Sequence, residues 1–164
     1  MQREATFDSS FWVYAVSLEL LNFFLADYTL ICPTAGEREL GRDNLTSLRL
    51  KALRTDNAIQ SATPRTEQIT LYGNGERAAI NLALERHLLL LIDDWKPYEA
   101  ARAAGVEVIN TLAYLAQLYA QNRVTEEKVL RDIARLARRG TLKPAWLQAA
   151  LTLVAEIRKQ RKVL

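Results

Sequence analysis

The chain has 164 residues, 49% hydrophobic, 25% charged and 8% aromatic, which is enough for one domain with a sizeable core and too few for two. Six Gly and four Pro exclude a collagen-like or low-complexity chain. The single Cys32 excludes a disulfide framework or cysteine-rich zinc site and reads as a buried thiol in a reducing compartment. The net charge of +3 is unevenly spread: residues 1–122 carry 11 basic and 15 acidic side chains, residues 123–164 carry 11 basic and 4 acidic ones. That asymmetry suits a polyanionic partner, and equally a pair of solvated helices. No apolar run approaches the roughly 20 residues of a membrane span. The first residues lack the apolar stretch of a signal peptide, so a cytoplasmic protein with no membrane association is expected.

In chain order, Ala5-Thr6-Phe7 is β-prone and is stopped by Asp8-Ser9-Ser10. Val13, Val16, Leu20, Phe23 and Phe24 recur at helical spacing and predict a helix from about Trp12 to Ala26. Tyr28 to Cys32 is a buried strand closed by Pro33, and a helical region from Ala35 to Leu53 is interruptible at Gly41. Residues 55–67 are polar without an apolar period and predict a surface connection, after which Ile69 to Tyr72 is a possible strand. Glu76 to Arg86 reads as a helix with His87 on its apolar face, and Leu88 to Ile92 as a strand covered on both sides, ended by Asp93-Asp94. A short helix to Ala104 follows, with Gly105 at its end, then a strand over Val106 to Ile109 and a helix capped by Thr111. Thr125 opens a helix ended by Gly140, and a last helix from Pro144 runs into a frayed basic tail, Arg158 to Lys162. Strands alternating with helices predict an α/β domain with a parallel sheet over residues 1–122, with the basic helices of 123–164 packed on the same domain.

In a parallel sheet the strands' carboxyl ends and the following helices' amino ends share one edge, where ligands bind. Asp8, Glu37 and Glu39, Glu76, and Asp93 with Asp94 come to that edge from four strand ends. Carboxylates brought together repel unless a cation neutralises them, and hard oxygen ligands suit Mg²⁺ or Mn²⁺, the ions of phosphodiester hydrolysis. Acids at helix starts also complement the helix dipole, so each residue taken singly has an ordinary structural explanation.

Several blocks resemble the PIN-domain family, in particular its short prokaryotic branch related to toxin ribonucleases. They are Phe7-Asp8-Ser9-Ser10; Leu30-Ile31-Cys32-Pro33 with Glu39-Leu40; Gly73-Asn74-Gly75-Glu76; Leu89 to Asp94; and Ala101-Arg102, Gly105 and Asn110-Thr111-Leu112. The resemblance implies a three-layer α/β/α sandwich and a metal-dependent endoribonuclease acting on single-stranded or loop RNA. Asp8, Glu39, Glu76 and Asp94 would form its catalytic acidic cluster. Asp8, Glu76 and Asp94 would hold Mg²⁺ or Mn²⁺, with Ser10 and Asp93 in supporting positions behind them. Adjacent residues of a strand point to opposite faces, so only one of Asp93 and Asp94 can meet the ion, and Asp94 is chosen. A toxin role with an antitoxin protein as partner, and a homodimer, are further implications. The alternative is a non-catalytic PIN-like scaffold that binds RNA or protein. A dehalogenase-type phosphohydrolase fits less well, because Ser10 stands where its second aspartate belongs, and a receiver domain would carry its acid pair near the first strand.

His87 is the only histidine, which excludes a His-based triad or a multi-histidine metal site. Arg102, Arg131 and Arg135 are candidate RNA phosphate contacts, the last two on one helical face. Trp12, Trp95 and Tyr98 are candidates for stacking on bases, with core packing the expected role of Trp12. Trp146 and the leucines around it read as a helix packing face or a partner surface.

Overall fold

In the computed structural model of the chain, which describes residues 1–163, the apolar run Leu88 to Ile92 is buried along its whole length. Burying each such side chain contributes about 1.5–3 kcal/mol, which commits this segment to the middle of a sheet. The elements are β1 Arg3–Phe7, α1 Ser9–Ser17, α2 Leu21–Asp27, β2 Tyr28–Pro33, α3 Thr34–Glu39, α4 Leu45–Thr55, β3 Ile59–Ala62, α5 Asn74–Arg86, β4 Leu89–Leu91, α6 Trp95–Ala103, β5 Val108–Ile109, α7 Thr111–Ala120, α8 Glu126–Arg138 and α9 Pro144–Val163. The five strands form one parallel sheet in the order β3-β2-β1-β4-β5, flanked by helices, the α/β arrangement expected.

The chain folds as two compact units, Met1–Ile92 with Lys96–Val108, and Asp93–Trp95 with Ile109–Leu164. In the first, Ile31, Leu90 and Ile92 pack with Ala79, Ile80, Leu82 and Ala83 of α5. On α1, Trp12 is fully buried: its ring stacks 5.3 Å from Phe7, and its indole N–H donates to the Thr46 carbonyl at 2.9 Å. The expected core role of Trp12 is therefore met, with the polar edge of the ring satisfied. Cys32 is a free buried thiol whose pKa burial pushes up to about 12. In the second unit, α7, α8 and α9 pack on one another, and α8 buries Val129, Ile133 and Leu136 on one face. No single helix among the described residues is long and apolar enough to cross a membrane.

The predicted helix over 12–26 is two helices. It begins at Ser9, because the Asp8 carboxylate accepts from the Phe11 N–H at 2.8 Å and caps α1. It breaks at Glu19, which takes a positive φ of 57° while Glu19 N–H and Leu20 N–H bond back to Val16 and Ala15, closing a Schellman turn. The interruption at Gly41 is present, with φ +81° there and Asn44 capping α4.

The polar connection over 55–67 contains strand β3, which pairs parallel with β2 in the register Leu30↔Ile59. An edge strand that buries only Ile59 leaves no apolar alternation to read. Conversely, Ile69 to Tyr72 is not a strand. Its backbone is served by a side chain: buried Asn81 on α5 accepts from Gln68 N–H and Ile69 N–H, and donates to the Ile69 carbonyl at 2.9 Å. Asn81→Ala removes all three bonds at once and is expected to cost about 1–3 kcal/mol, measured by urea unfolding.

Three smaller features depart from expectation. His87, expected from its place at the helix end to cap α5 or pack beneath it, is its exposed left-handed cap with φ 55° and lies off the apolar face. The cap of α7 is Asn110, whose side chain accepts from Ala113 N–H at 2.8 Å, with Thr111 the first helical residue. The basic tail is not frayed: α9 runs through it, Arg161 lying 4.0 Å from the Tyr119 ring centroid and Arg158 pairing with Glu126.

Candidate metal centre

The sheet order places β1 beside β4, and that is where the chain's progression across the sheet reverses. After β1 it proceeds outward through β2 and β3, then returns to the other side of β1. Ligand crevices of open parallel sheets form at such a switch, outside the carboxyl ends of the strands. Phe7 is in register with Leu91, so the chain leaves β1 at Asp8 and leaves β4 toward Asp93 and Asp94 at one level.

Asp8 is fully buried in extended conformation, held by its cap bond to Phe11. The ordinary structural role of an acid at a helix start is thus real for this residue, and it fixes the carboxylate. Glu76 lies half-buried in the first turn of α5. Asp8, Glu76 and Asp94 each offer one carboxylate oxygen, and these oxygens lie within 4.8 Å of one another.

Whether this group suits a cation is decided by its donors. All are hard carboxylate oxygens, the chemistry that Mg²⁺ and Mn²⁺ prefer. Asp94 Oδ1 is buried and accepts no hydrogen bond, which costs about 1–3 kcal/mol for a polar group and more for a charged one unless something positive faces it. One buried acid and two half-buried ones at this spacing fit a divalent ion, and the chain has an acidic group able to bind metal.

Glu39, expected in the same cluster, is not one of the three grouped acids, and its carboxylate is engaged elsewhere. Its Oε1 accepts from the Gly75 N–H at 2.7 Å and its Oε2 from Ser9 Oγ at 2.8 Å. Helix α5 has Gly73 at its N-cap and so no side-chain cap of its own, and Glu39 satisfies one of its open N–H groups from α3. It thereby ties together the residue after Asp8 and the residue before Glu76. Gly75 is what permits this: a Cβ there would stand 2.3 Å from Glu39 Oε2. Neither Ser9 nor Gly75 stands out as a tether in the sequence. The Asp-Ser-Ser and Gly-Asn-Gly-Glu blocks mark the region but not which atom reaches Glu39.

Asp93 turns to α7. It is fully buried and accepts from Thr111 N–H at 2.7 Å and Thr111 Oγ1 at 2.9 Å. Burial raises its pKa, opposed by the two Thr111 bonds and the Arg139 charge. Ser10 is half-buried and makes no side-chain hydrogen bond among the described residues. Arg102 is exposed in the last turn of α6, and Arg131 and Arg135 are exposed on α8, where Arg131 Nε lies 3.8 Å from Asp132. Trp95 carries Lys143 Nζ at 5.5 Å from its ring centroid.

No curated protein matches the chain. A family model described as a PIN domain matches residues 6–156, which includes every acid of the cluster and continues through α8 into α9. With that match covering most of its 164 residues, the chain belongs to the PIN-domain family, whose members are generally nucleases.

Proposed function

We propose that this protein is an endoribonuclease that uses Mg²⁺ or Mn²⁺ to hydrolyse phosphodiester bonds in single-stranded RNA or exposed RNA loops, with water as the nucleophile. The observation that carries the reading is the convergence of one oxygen each from Asp8, Glu76 and Asp94 within 4.8 Å. These three residues would hold the ion. When bound, it supplies charge neutralisation at the scissile phosphate and a more acidic water near neutral pH.

The chain's own residues do the positioning. Asp8 keeps one carboxylate orientation because the Phe11 N–H fixes its Oδ1. Glu39 is a positioning residue: through Ser9 and Gly75 it holds the segments that carry Asp8 and Glu76. Asp93 fastens the chain beside Asp94 to the first residue of α7. A toxin role in the cytoplasm with an antitoxin partner, and a homodimer, belong to the same proposal and rest on the resemblance of the sequence blocks. Arg102, Arg131 and Arg135 are proposed as RNA phosphate contacts on the strength of their exposure and charge.

The test is incubation of the purified protein with a mixed-sequence RNA carrying single-stranded and hairpin segments. Cleavage in unpaired segments with Mg²⁺ or Mn²⁺, abolished by EDTA, is the expected result. No cleavage with either ion, together with no ion-induced rise in melting temperature, would overturn it in favour of a non-catalytic scaffold.

A further inference from the structure

A cavity of about 470 Å³ opens on the far side of Glu39, walled by α3, the segment after β3 and the first turns of α5. Its volume falls in the about 300–1,000 Å³ range of small-molecule sites. Ala35, Pro64 and Ala78 give it an apolar floor, and Arg38 and Arg77 give it two guanidinium groups. Arg77 is held in place: its Nη2 donates to Asn74 Oδ1 at 2.9 Å, and its Nε lies 3.7 Å from Glu67. Arg38 is exposed, and among the described residues its guanidinium has no side-chain hydrogen bond or ion pair. Of the carboxylates at the cavity, Glu67 lies beside Arg77, and both oxygens of Glu39 are engaged by Ser9 and Gly75. Arg38 is therefore the group left to meet an anion.

We propose that this cavity seats one unpaired nucleotide of the RNA substrate, with the phosphate on Arg38 and the base between the apolar floor and the fixed plane of Arg77. Guanidinium planes and apolar surfaces accept any base face, which makes such a seat selective for unpaired strands and tolerant of sequence. The cavity adjoins the acidic group through Glu39 itself, whose two partners are the chain neighbours of Asp8 and Glu76. The seated nucleotide thus flanks the phosphate to be cut, an assignment that rests on the ribonuclease reading above.

The probes are the four ribonucleoside 5′-monophosphates, which contain no phosphodiester to cleave, and inorganic phosphate, titrated into the isotope-labelled full chain and followed by amide chemical shifts. Saturable shifts at Ala35, Ala78 and their neighbours are expected for all four nucleotides. Losing one charge-assisted contact in Arg38→Ala should weaken them about tenfold. Ala35→Phe, which fills the floor without changing charge, should abolish them, and melting temperatures show that each variant is folded. Phosphate binding as tightly as the nucleotides, or both variants binding like wild type, would overturn the proposal. RNA cleavage separates the two readings. Absent cleavage with nucleotide binding that depends on Arg38 sinks the nuclease and keeps the seat. Cleavage with an unchanged KM in both variants keeps the nuclease and sinks the seat.

Discussion

Asp94→Asn is expected to lower metal-dependent RNA cleavage by about a thousandfold, equivalent to about 4 kcal/mol of transition-state stabilisation, without unfolding the protein. The substitution is nearly isosteric and removes one of three carboxylates whose oxygens lie within 4.8 Å. It also neutralises a group whose Oδ1 is buried without a hydrogen bond. In EDTA the variant should therefore melt at or above the wild-type temperature, because like-charge repulsion is relieved. Mg²⁺ acts in the opposite sense on the wild type. Binding at a hundred times its Kd stabilises by about 2.7 kcal/mol, a rise of about 5–10 °C for a chain of this size. Asp94→Asn should lose most of that rise. A variant that keeps both the Mg²⁺-induced shift and the cleavage would remove Asp94 from the ion's ligands. One that melts well below wild type in EDTA would make Asp94 a structural acid.

The sheet and most of the acid group could be read from the sequence because both have local signatures. Short continuous apolar runs at Leu30 to Cys32 and Leu88 to Ile92, closed by Pro33 and by Asp93-Asp94, read as strands covered on both faces, and the acids that follow strands fall on one edge by the geometry of a parallel sheet. What stayed hidden depends on partners remote in sequence. β3 borrows its place from β2 and buries a single residue, so it has no period of its own. Ile69 to Tyr72 looks like a strand, but at Gln68 and Ile69 Asn81 supplies the hydrogen bonds that a neighbouring strand would. Its position after a strand groups Glu39 with the other acids, yet its two oxygens answer to Ser9 and Gly75, 30 and 36 residues away. Glu39, tied to Ser9 and Gly75, and Glu76, grouped with Asp8 and Asp94, are the same letter in a sequence, and only the atoms around them tell the two apart.

That difference makes Gly75→Ala the most discriminating substitution in the first turn of α5. Within a helix, alanine in place of glycine ordinarily stabilises by about 0.5–1 kcal/mol. Here the added Cβ would stand 2.3 Å from Glu39 Oε2 and 2.8 Å from Glu39 Cδ, so the carboxylate must swing away. Swinging it breaks the bonds to Gly75 N–H and Ser9 Oγ, a loss of about 1–3 kcal/mol that cancels or exceeds the helix gain. Net stability should change little or fall slightly, whereas activity should fall steeply. The two segments released carry Asp8 and Glu76, and displacement of a catalytic group by about 1 Å costs on the order of a hundredfold, expressed in kcat more than in KM. Glu39→Ala alone should show a similar kinetic loss. Placed on top of Glu39→Ala, the same Gly75→Ala change meets no carboxylate and should now stabilise by about 0.5–1 kcal/mol with no further loss of rate. Urea unfolding and steady-state kinetics on the four proteins of this cycle read both effects. If Gly75→Ala has the same sign and size in both backgrounds, Glu39 is not the tether and the loss must be sought in the backbone of α5 itself.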